Sequence, residues 1–354
     1  MTEQLTLRTL LDDLIATNEA PAEIAKTLTV SLEQPPTPWF VNALVAVSAW
    51  LSVIPFLAFI NHLVEGSISA IIVGLILLIG TVILHYFKSH ILFLDQLALA
   101  LNLTGQVLLI YGIAQESENV VAVTLATLFL EMVLIGIYSD NILRFISVLI
   151  ATTAALVLLY DFKLHQGIHI LIVLIAMGAV WYWITEASHL TDQIMASLHQ
   201  PLAYAFIIAL QMILLLSILP PINFIPPVTW WYSTMGLTVL LLALEYYILH
   251  SNQITIFSVK TYTIFAGTLL VALLLYQSPG IIASIIVLVL GFQRSNRVLM
   301  GLALVFLSVF LIAYYYHLNI TLLMKSISLM SAGLALLGLR FMFKHIFPLS
   351  EGGQ

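Results

Sequence analysis

The chain has 354 residues, of which 62% are hydrophobic and 8% are charged, and its formal net charge at pH 7 is -6. Soluble domains are about 45–50% apolar, so this composition excludes an ordinary soluble domain and predicts a polytopic membrane protein whose first partner is the lipid bilayer. The 11 Lys and Arg residues are too few and too scattered for nucleic-acid binding, and the lack of cysteine excludes disulfides and thiolate metal sites.

Residues 1–38 form the only segment with soluble composition. Leucines recur there near helical spacing, from Leu5 to Leu14, which predicts an amphipathic helix. The segment lacks the basic start and short apolar core of a cleavable signal peptide. We interpret it as a cytoplasmic cap on the membrane domain, with a partner-docking helix as the alternative.

Long apolar runs fill the rest of the chain. A membrane-spanning helix needs roughly 20 mostly apolar residues, so we predict an all-α, polytopic transmembrane helix bundle of about 12 helices (range about 10–12). The predicted helices are 39–62, 67–87, 91–113, 119–138, 141–160, 167–187, 201–219, 230–250, 259–276, 280–293, 297–316 and 320–343. They make up a transmembrane domain at 39–343, followed by a cytoplasmic tail at 344–354. The helix at 280–293 is short for a full crossing, and a re-entrant segment is its alternative.

The distribution of positive charge predicts that both termini lie in the cytoplasm. With this topology nine of the 11 Lys and Arg residues fall on the inner side, and the other two, Lys163 and Lys325, fall on the outer side. This is the asymmetry that the positive-inside rule requires.

Polar residues inside the predicted helices mark the candidate binding site, because a charge at the centre of a membrane helix costs roughly 2.5–3.5 kcal/mol on insertion scales. The candidates are Asp95, Asn102, Gln106, Glu131, Arg144 and Glu245. The first three lie on one face of their helix, at seven and eleven residues' separation. We predict a polar cavity that opens inward, in which Glu131 or Glu245 binds a proton or cation and Arg144 pairs with a carboxylate or holds an anionic group.

A structural role is the alternative for the same residues. Asp95 and Arg144 would then lie at headgroup level, with Arg144 reaching water, while Glu131 and Glu245 would be protonated hydrogen-bonding groups between helices.

A helix hairpin from Gly291 to Arg340 turns near Tyr315 and Tyr316. Lys325 follows this turn, close enough for a cation-π contact with the tyrosines. We favour a structural or partner-docking role for Tyr315, Tyr316, Lys325 and Arg340 over a substrate contact.

Enzyme signatures are absent from the sequence: no HExxH, GxSxG or GxxxxGK[ST] motif occurs. His165 and His169 share a helix face, but no third ligand accompanies them. We therefore predict no catalytic residues, no metal and no cofactor.

Two stretches are similar to a known family. They are FLDQLALALNLTGQVLLIYGIAQ, from Phe93, and the pattern YYxLxxTLLxKSxxLxxxGxxLLxxR, which ends at Arg340. They resemble a bacterial polytopic inner-membrane family whose members carry a C-terminal domain of unknown function. The matching positions are Asp95, Gln96, Gly105, Gln106, Tyr315, Tyr316, Leu318, Lys325, Ser326, Gly333 and Arg340. The resemblance implies no activity, but it implies a bacterial inner-membrane location and a partner, the membrane-anchored GDYxxLxY-motif protein often encoded beside family members.

Two functions remain open from the sequence. The first is a membrane protein that binds or transports a small solute, ion or lipid through the polar cavity. The second is a non-catalytic scaffold of an envelope complex, alone or as a homo-oligomer, that docks a partner through the aromatic turn and the N-terminal segment. An integral-membrane enzyme acting on lipid-linked substrates is the least favoured because its motifs are missing.

Overall fold

The computed structural model describes residues 51–56, 66–87, 92–186, 193–218, 228–253 and 258–317, together with positions 44, 47, 48, 323 and 330. The predicted N-terminal segment at 1–38, the tail at 344–354, and the candidates Lys325 and Arg340 lie outside these residues. Of the predicted helices at 39–62 and 320–343, only residues 51–56 and the five single positions are described, and all of them are helical.

Besides the helical residues 51–56, ten helices have defined bounds within the described residues, and no strand occurs among these residues. They are α1 (Ser67–Tyr86), α2 (Leu92–Glu116), α3 (Val120–Ile137), α4 (Asn141–Asp161), α5 (Gly167–Ile184), α6 (Gln193–Leu215), α7 (Trp231–Ser251), α8 (Val259–Leu274), α9 (Pro279–Gln293) and α10 (Arg297–His317). Eight of them are long and apolar enough to cross a membrane, and α8 and α9 are shorter. The all-α prediction is confirmed, and the helices indicate a multi-pass membrane protein.

Capping residues fix where several helices begin. The Asn119 side chain accepts hydrogen bonds from the first backbone N–H groups of α3, and Asp140 does the same for α4, at 2.9 Å from Ile142 N and 2.8 Å from Leu143 N. Ser258 caps α8 through Thr261 N at 3.2 Å. Side-chain oxygens at these positions satisfy N–H groups that have no partner within the helix.

The start of α6 differs from the prediction. The apolar run predicts a helix at 201–219, which begins at Pro201. The helix instead begins at Gln193, with Pro201 inside it. An interior proline removes the hydrogen bond to the carbonyl four residues earlier, which here belongs to Ser197, and another helix supplies a donor to that carbonyl.

The chain divides into two compact units, Met1–Gly112 and Ile113–Gln354. In the first unit, α1 packs closely through glycines against the part of α2 that ends at Gly112. A Cβ at Gly74 would lie 2.7 Å from Leu109 N and 2.9 Å from the Gly105 carbonyl oxygen. Such small residues let membrane helices approach backbone to backbone.

The second unit is built around α6, α7 and α9. Helix α6 packs on α4, α5 and α9, while α7 packs on α5, α8 and α9, and α10 packs on α9. Helix α9 is mostly buried, except at its C-terminal end, and is about 22 Å long at 1.5 Å per residue. Its shortness fits a helix enclosed by others, which can be shorter than a lipid-facing span.

Candidate functional site

A chain of polar side chains links α1 and α2 in the first unit. Gln106 Nε2 donates to Asn102 Oδ1, and Asn102 Nδ2 donates to Thr81 Oγ1, both at 2.9 Å. All three residues are buried, and Gln106 Oε1 has no hydrogen-bond partner among the described residues. Asp95 lies apart from this chain, exposed in the first turn of α2. The predicted Asp95–Asn102–Gln106 stripe therefore has a buried part and an exposed end.

Glu131 lies in the interface between α3 and α4, which pack against each other. Glu131 is 0% exposed, and neither of its carboxyl oxygens makes a hydrogen bond of good geometry within the described residues. The hydroxyl group of Ser147, on α4, interacts with this carboxyl group from the facing helix. Thr124 and Thr127 lie on the same buried face, but their hydroxyls bond to carbonyls of their own helix. Glu131 is thus a desolvated carboxyl group with one weak neutral neighbour.

Arg144 is buried near the start of α4 and joins three helices. Its Nε donates to the Ile135 carbonyl on α3 at 3.1 Å, and its Nη1 donates to the Ser197 carbonyl on α6 at 3.0 Å. Both acceptors are carbonyl oxygens that lack an ordinary helical donor, Ile135 because α3 ends and Ser197 because of Pro201. The guanidinium group therefore bonds to two backbone carbonyls, with a further bond from Nη1 to Ser197 Oγ at 3.3 Å, and its predicted pairing with a carboxylate is not seen among the described residues.

Glu245 joins α7 to α8. Thr268 Oγ1 donates to Glu245 Oε1 at 2.5 Å, while the buried Oε2 has no hydrogen-bond partner within the described part of the chain. Its neighbours differ from those of Glu131, which faces α4. The predicted common cavity for the six candidates stays a prediction, since Asp95, Asn102 and Gln106 belong to the other unit. The described residues contain one ion pair, in which Arg294 Nε lies 3.7 Å from Glu186 Oε2.

The structure adds polar residues that the sequence reasoning missed. Thr81, Ser147 and Thr268 are partners of predicted candidates, and Gln211 is a fully buried glutamine on α6 whose side-chain amide makes no hydrogen bond within the described residues. The signal for Gln211 was present in the sequence, since it is the amide residue in the run Ala203–Leu216.

His169 is held by neutral groups. Its Nδ1 lies 2.6 Å from Ser233 Oγ and its Nε2 lies 2.8 Å from Gln166 Oε1. The buried imidazole ring of His169 therefore links the start of α5 to α7 through hydrogen bonds. Among the described residues, no three His, Cys, Asp or Glu side chains are placed to hold a metal ion.

A cavity of about 460 Å³, with both polar and apolar side chains in its lining, lies where α6 ends, α7 and α9 begin, and α10 ends. We call it the Trp230 cavity. Its polar and aromatic lining includes Ser217, Thr229, Trp230, Gln277, Ser278 and Tyr314. No sequence pattern indicated it, because its lining comes from four separate segments. Nearby on α10, Tyr315 and Tyr316 pack edge to face at 5.7 Å, and Tyr316 is 74% exposed.

Comparison with known proteins identifies a family and no activity. The model of a domain of unknown function, DUF4401, matches residues 38–346. No curated protein and no solved structure shows a significant match. The match spans the whole region predicted as transmembrane and agrees with the expectation of a domain of unknown function.

Proposed function

Because the chain belongs to the DUF4401 family, whose description assigns no activity, we propose a function from the described side chains. The protein is an integral membrane protein that binds or moves a small solute, ion or lipid, and Glu131 is the group that takes up a proton or a cation. The burial of Glu131, without a hydrogen bond of good geometry to either oxygen, is the observation that carries this proposal.

The energetic argument concerns the carboxyl group of Glu131. A buried carboxyl group in an apolar setting is satisfied by a proton, which neutralises it, or by a cation, which pairs with it. No Lys or Arg side chain forms an ion pair with it in the described part of the chain, and Ser147 supplies only a hydroxyl. Ionisable residues at such positions in membrane proteins mark ion pathways and proton relays.

We also propose the number of membrane helices, the side on which the termini lie and the membrane that holds the protein. Twelve helices, cytoplasmic termini and a bacterial inner-membrane location are supported by the charge asymmetry of the sequence and by the family resemblance. In that orientation the Trp230 cavity faces outward, whereas Glu131, Arg144 and Glu245 lie in the inner half.

Carboxyl labelling tests the role of Glu131 directly. The full chain in lipid nanodiscs is treated with dicyclohexylcarbodiimide, and labelled peptides are quantified by mass spectrometry across pH and with added Na⁺ or K⁺. We expect labelling at Glu131 that changes with pH or with one of the cations, and its loss in Glu131→Gln. Glu118→Gln, which alters an exposed carboxyl group between α2 and α3, is the matched control. Labelling that is absent, or insensitive to pH and to both cations, overturns the proposal.

The scaffold function keeps one supporting observation. Tyr316 is exposed at the end of α10, and its ring packs edge to face on that of Tyr315; tyrosine is enriched among the anchors of protein interfaces. The partner suggested by the resemblance is the GDYxxLxY-motif protein. Co-purification of that protein with the full chain, lost in Tyr316→Ala and kept in Tyr262→Ala, supports docking, and co-purification unaffected by Tyr316→Ala contradicts it. Tyr262 is a comparably exposed tyrosine on α8.

A further inference from the structure

An apolar groove adjoins the Trp230 cavity. The groove encloses about 610 Å³ between α7 and α8. Trp231, Met235, Val239 and Leu242 line its α7 side at spacings of three and four residues, so they form one helix face. Leu269 and Leu273 line the α8 side. The groove is therefore a stripe of apolar side chains running along the two helices.

The groove and the cavity adjoin each other at one residue. Trp231 lines both of them. In addition, Gln277, which lines the cavity, donates from Nε2 to the hydroxyl of Tyr276, which lines the groove, at 2.9 Å. A compartment with polar groups in its lining thus adjoins an apolar one, which is the arrangement that suits an amphipathic ligand.

The length of the groove fits one lipid tail. From Trp231 to Leu242 the helix rises about 16 Å at 1.5 Å per residue. One leaflet of a bilayer has a hydrocarbon layer about 15 Å thick, half of the total. The hydroxyls of Thr234 and Thr238 bond to carbonyls of their own helix, so the groove presents methyl groups along this stretch. At the far end, one turn beyond Leu242, Glu245 bonds to Thr268.

The cavity favours a headgroup without net charge. None of its lining residues is Asp, Glu, Lys or Arg, and a buried net charge without a partner is costly. Two kinds of group nevertheless suit a separated pair of charges. The rings of Trp230, Trp231 and Tyr314 suit an ammonium group. The starts of α7 and α9 have no side-chain cap bond. Tyr232 N and Ile281 N already donate to the carbonyls of Thr229 and Ser278, and Pro279 has no N–H, so only the remaining first-turn N–H groups are left for a phosphate.

We infer that the Trp230 cavity and the adjoining groove bind one zwitterionic phospholipid, with its headgroup in the cavity and an acyl chain between α7 and α8. This lipid site does not include Glu131, so its test does not depend on whether Glu131 binds a proton or a cation.

Photocrosslinking tests this site. The full chain in nanodiscs is irradiated with a phosphatidylcholine that carries a diazirine in one acyl chain, and crosslinked peptides are mapped by mass spectrometry. We expect crosslinks to concentrate in 231–242 and 269–276. Unlabelled phosphatidylethanolamine should compete better than phosphatidylglycerol or diacylglycerol, since the first carries both charges and the others lack the ammonium group or both.

Two groove variants and a matched control complete the experiment. Val239→Trp and Leu273→Trp fill the groove from its two sides, and both positions are exposed, at 66% and 73%. Each should lower crosslinking within the groove roughly tenfold, as expected for an overfilled site. Val305→Trp, at a 62% exposed valine on α10, should leave it unchanged. Crosslinks spread evenly over the exposed helix faces, or groove crosslinks unaffected by both tryptophans, overturn the inference. Equal competition by phosphatidylglycerol overturns the zwitterionic headgroup.

Discussion

Arg144 donates a hydrogen bond from Nη1 to the carbonyl oxygen of Ser197 at 3.0 Å, the carbonyl to which Pro201 has no N–H to donate. The same guanidinium donates from Nε to the Ile135 carbonyl, one of the last carbonyls of α3. One side chain thus supplies donors at two interruptions of helical bonding on different helices. A planar group with several N–H donors is suited to this, whereas a single ammonium is not.

Replacing this guanidinium tests its role as a link between α3, α4 and α6. In Arg144→Lys the ammonium cannot reach both carbonyls in the same geometry. We expect a loss of about 1.5–3 kcal/mol, the range for hydrogen bonds to charged groups. The measurement is the unfolding midpoint in detergent, and Arg297→Lys, at an exposed position, is the control. An unchanged midpoint in Arg144→Lys would contradict the role.

Helix positions were predictable from this sequence because runs of apolar residues long enough to span a membrane decide them. Helix α3 was expected at 119–138 and occupies Val120–Ile137. The start of α6 was not predictable, since proline acts locally, but the donor that satisfies the Ser197 carbonyl lies 53 residues earlier. A pattern within one helix carries no information about that contact.

The candidate site, too, could be predicted only in part from the sequence. The neighbouring positions of Asn102 and Gln106 follow from their four-residue spacing, and the structure shows their side chains bonded. Their link to Thr81, and that of Glu131 to Ser147, depends on how one helix is rotated and shifted against the next. Packing of whole helices sets that register, and single-helix periodicity does not.

Removal of Asn102 should weaken the packing of α1 on α2. Asn102→Ala removes the bonds to Thr81 and Gln106 and leaves the buried Gln106 amide without a partner. Interhelical hydrogen bonds in membrane proteins contribute about 0.6–2 kcal/mol, so we expect a stability loss of about that size. The unfolding midpoint in detergent measures it. Gln115→Ala changes an exposed amide on the same helix, and an equal loss in both variants would refute the specific role of Asn102.

The contribution of the hydrogen bond between Thr268 and Glu245 to stability can be measured separately from that of the threonine's shape. Thr268→Val keeps the side-chain shape and removes the donor to Glu245 Oε1, leaving both carboxyl oxygens unbonded. We expect a loss of about 1–3 kcal/mol, the cost of an unsatisfied buried group, and recovery in Thr268→Ser. Thr263→Val is the control, because that hydroxyl donates to the Val259 carbonyl of its own helix and to no other acceptor among the described residues. Failure of serine to restore stability would show that the hydroxyl is not responsible.

Two glycines of α1 should respond to alanine in opposite directions. A Cβ at Gly74 would meet backbone atoms of α2 within 3 Å, whereas a Cβ at Gly80 would meet no atom within 4 Å. We expect Gly74→Ala to destabilise by about 1–3 kcal/mol through overpacking. Gly80→Ala should be neutral or stabilise by up to about 1 kcal/mol, since alanine favours helix. Thermal unfolding of both variants decides the matter, and similar destabilisation by both would contradict close packing at Gly74.

Pro201 and Arg144 should be energetically coupled. Pro201→Ala supplies a backbone N–H at position 201, which can donate to the Ser197 carbonyl as in an ordinary helix. The bond from Arg144 to that carbonyl then becomes dispensable, although its bond to Ile135 remains. Arg144→Lys should therefore cost less in the Pro201→Ala background than alone, with a coupling energy of about 0.5–3 kcal/mol. A double-mutant cycle on unfolding midpoints measures this energy. Strict additivity, within about 0.5 kcal/mol, would show that the proline and the guanidinium act independently and that Arg144 does not replace the missing N–H of Pro201.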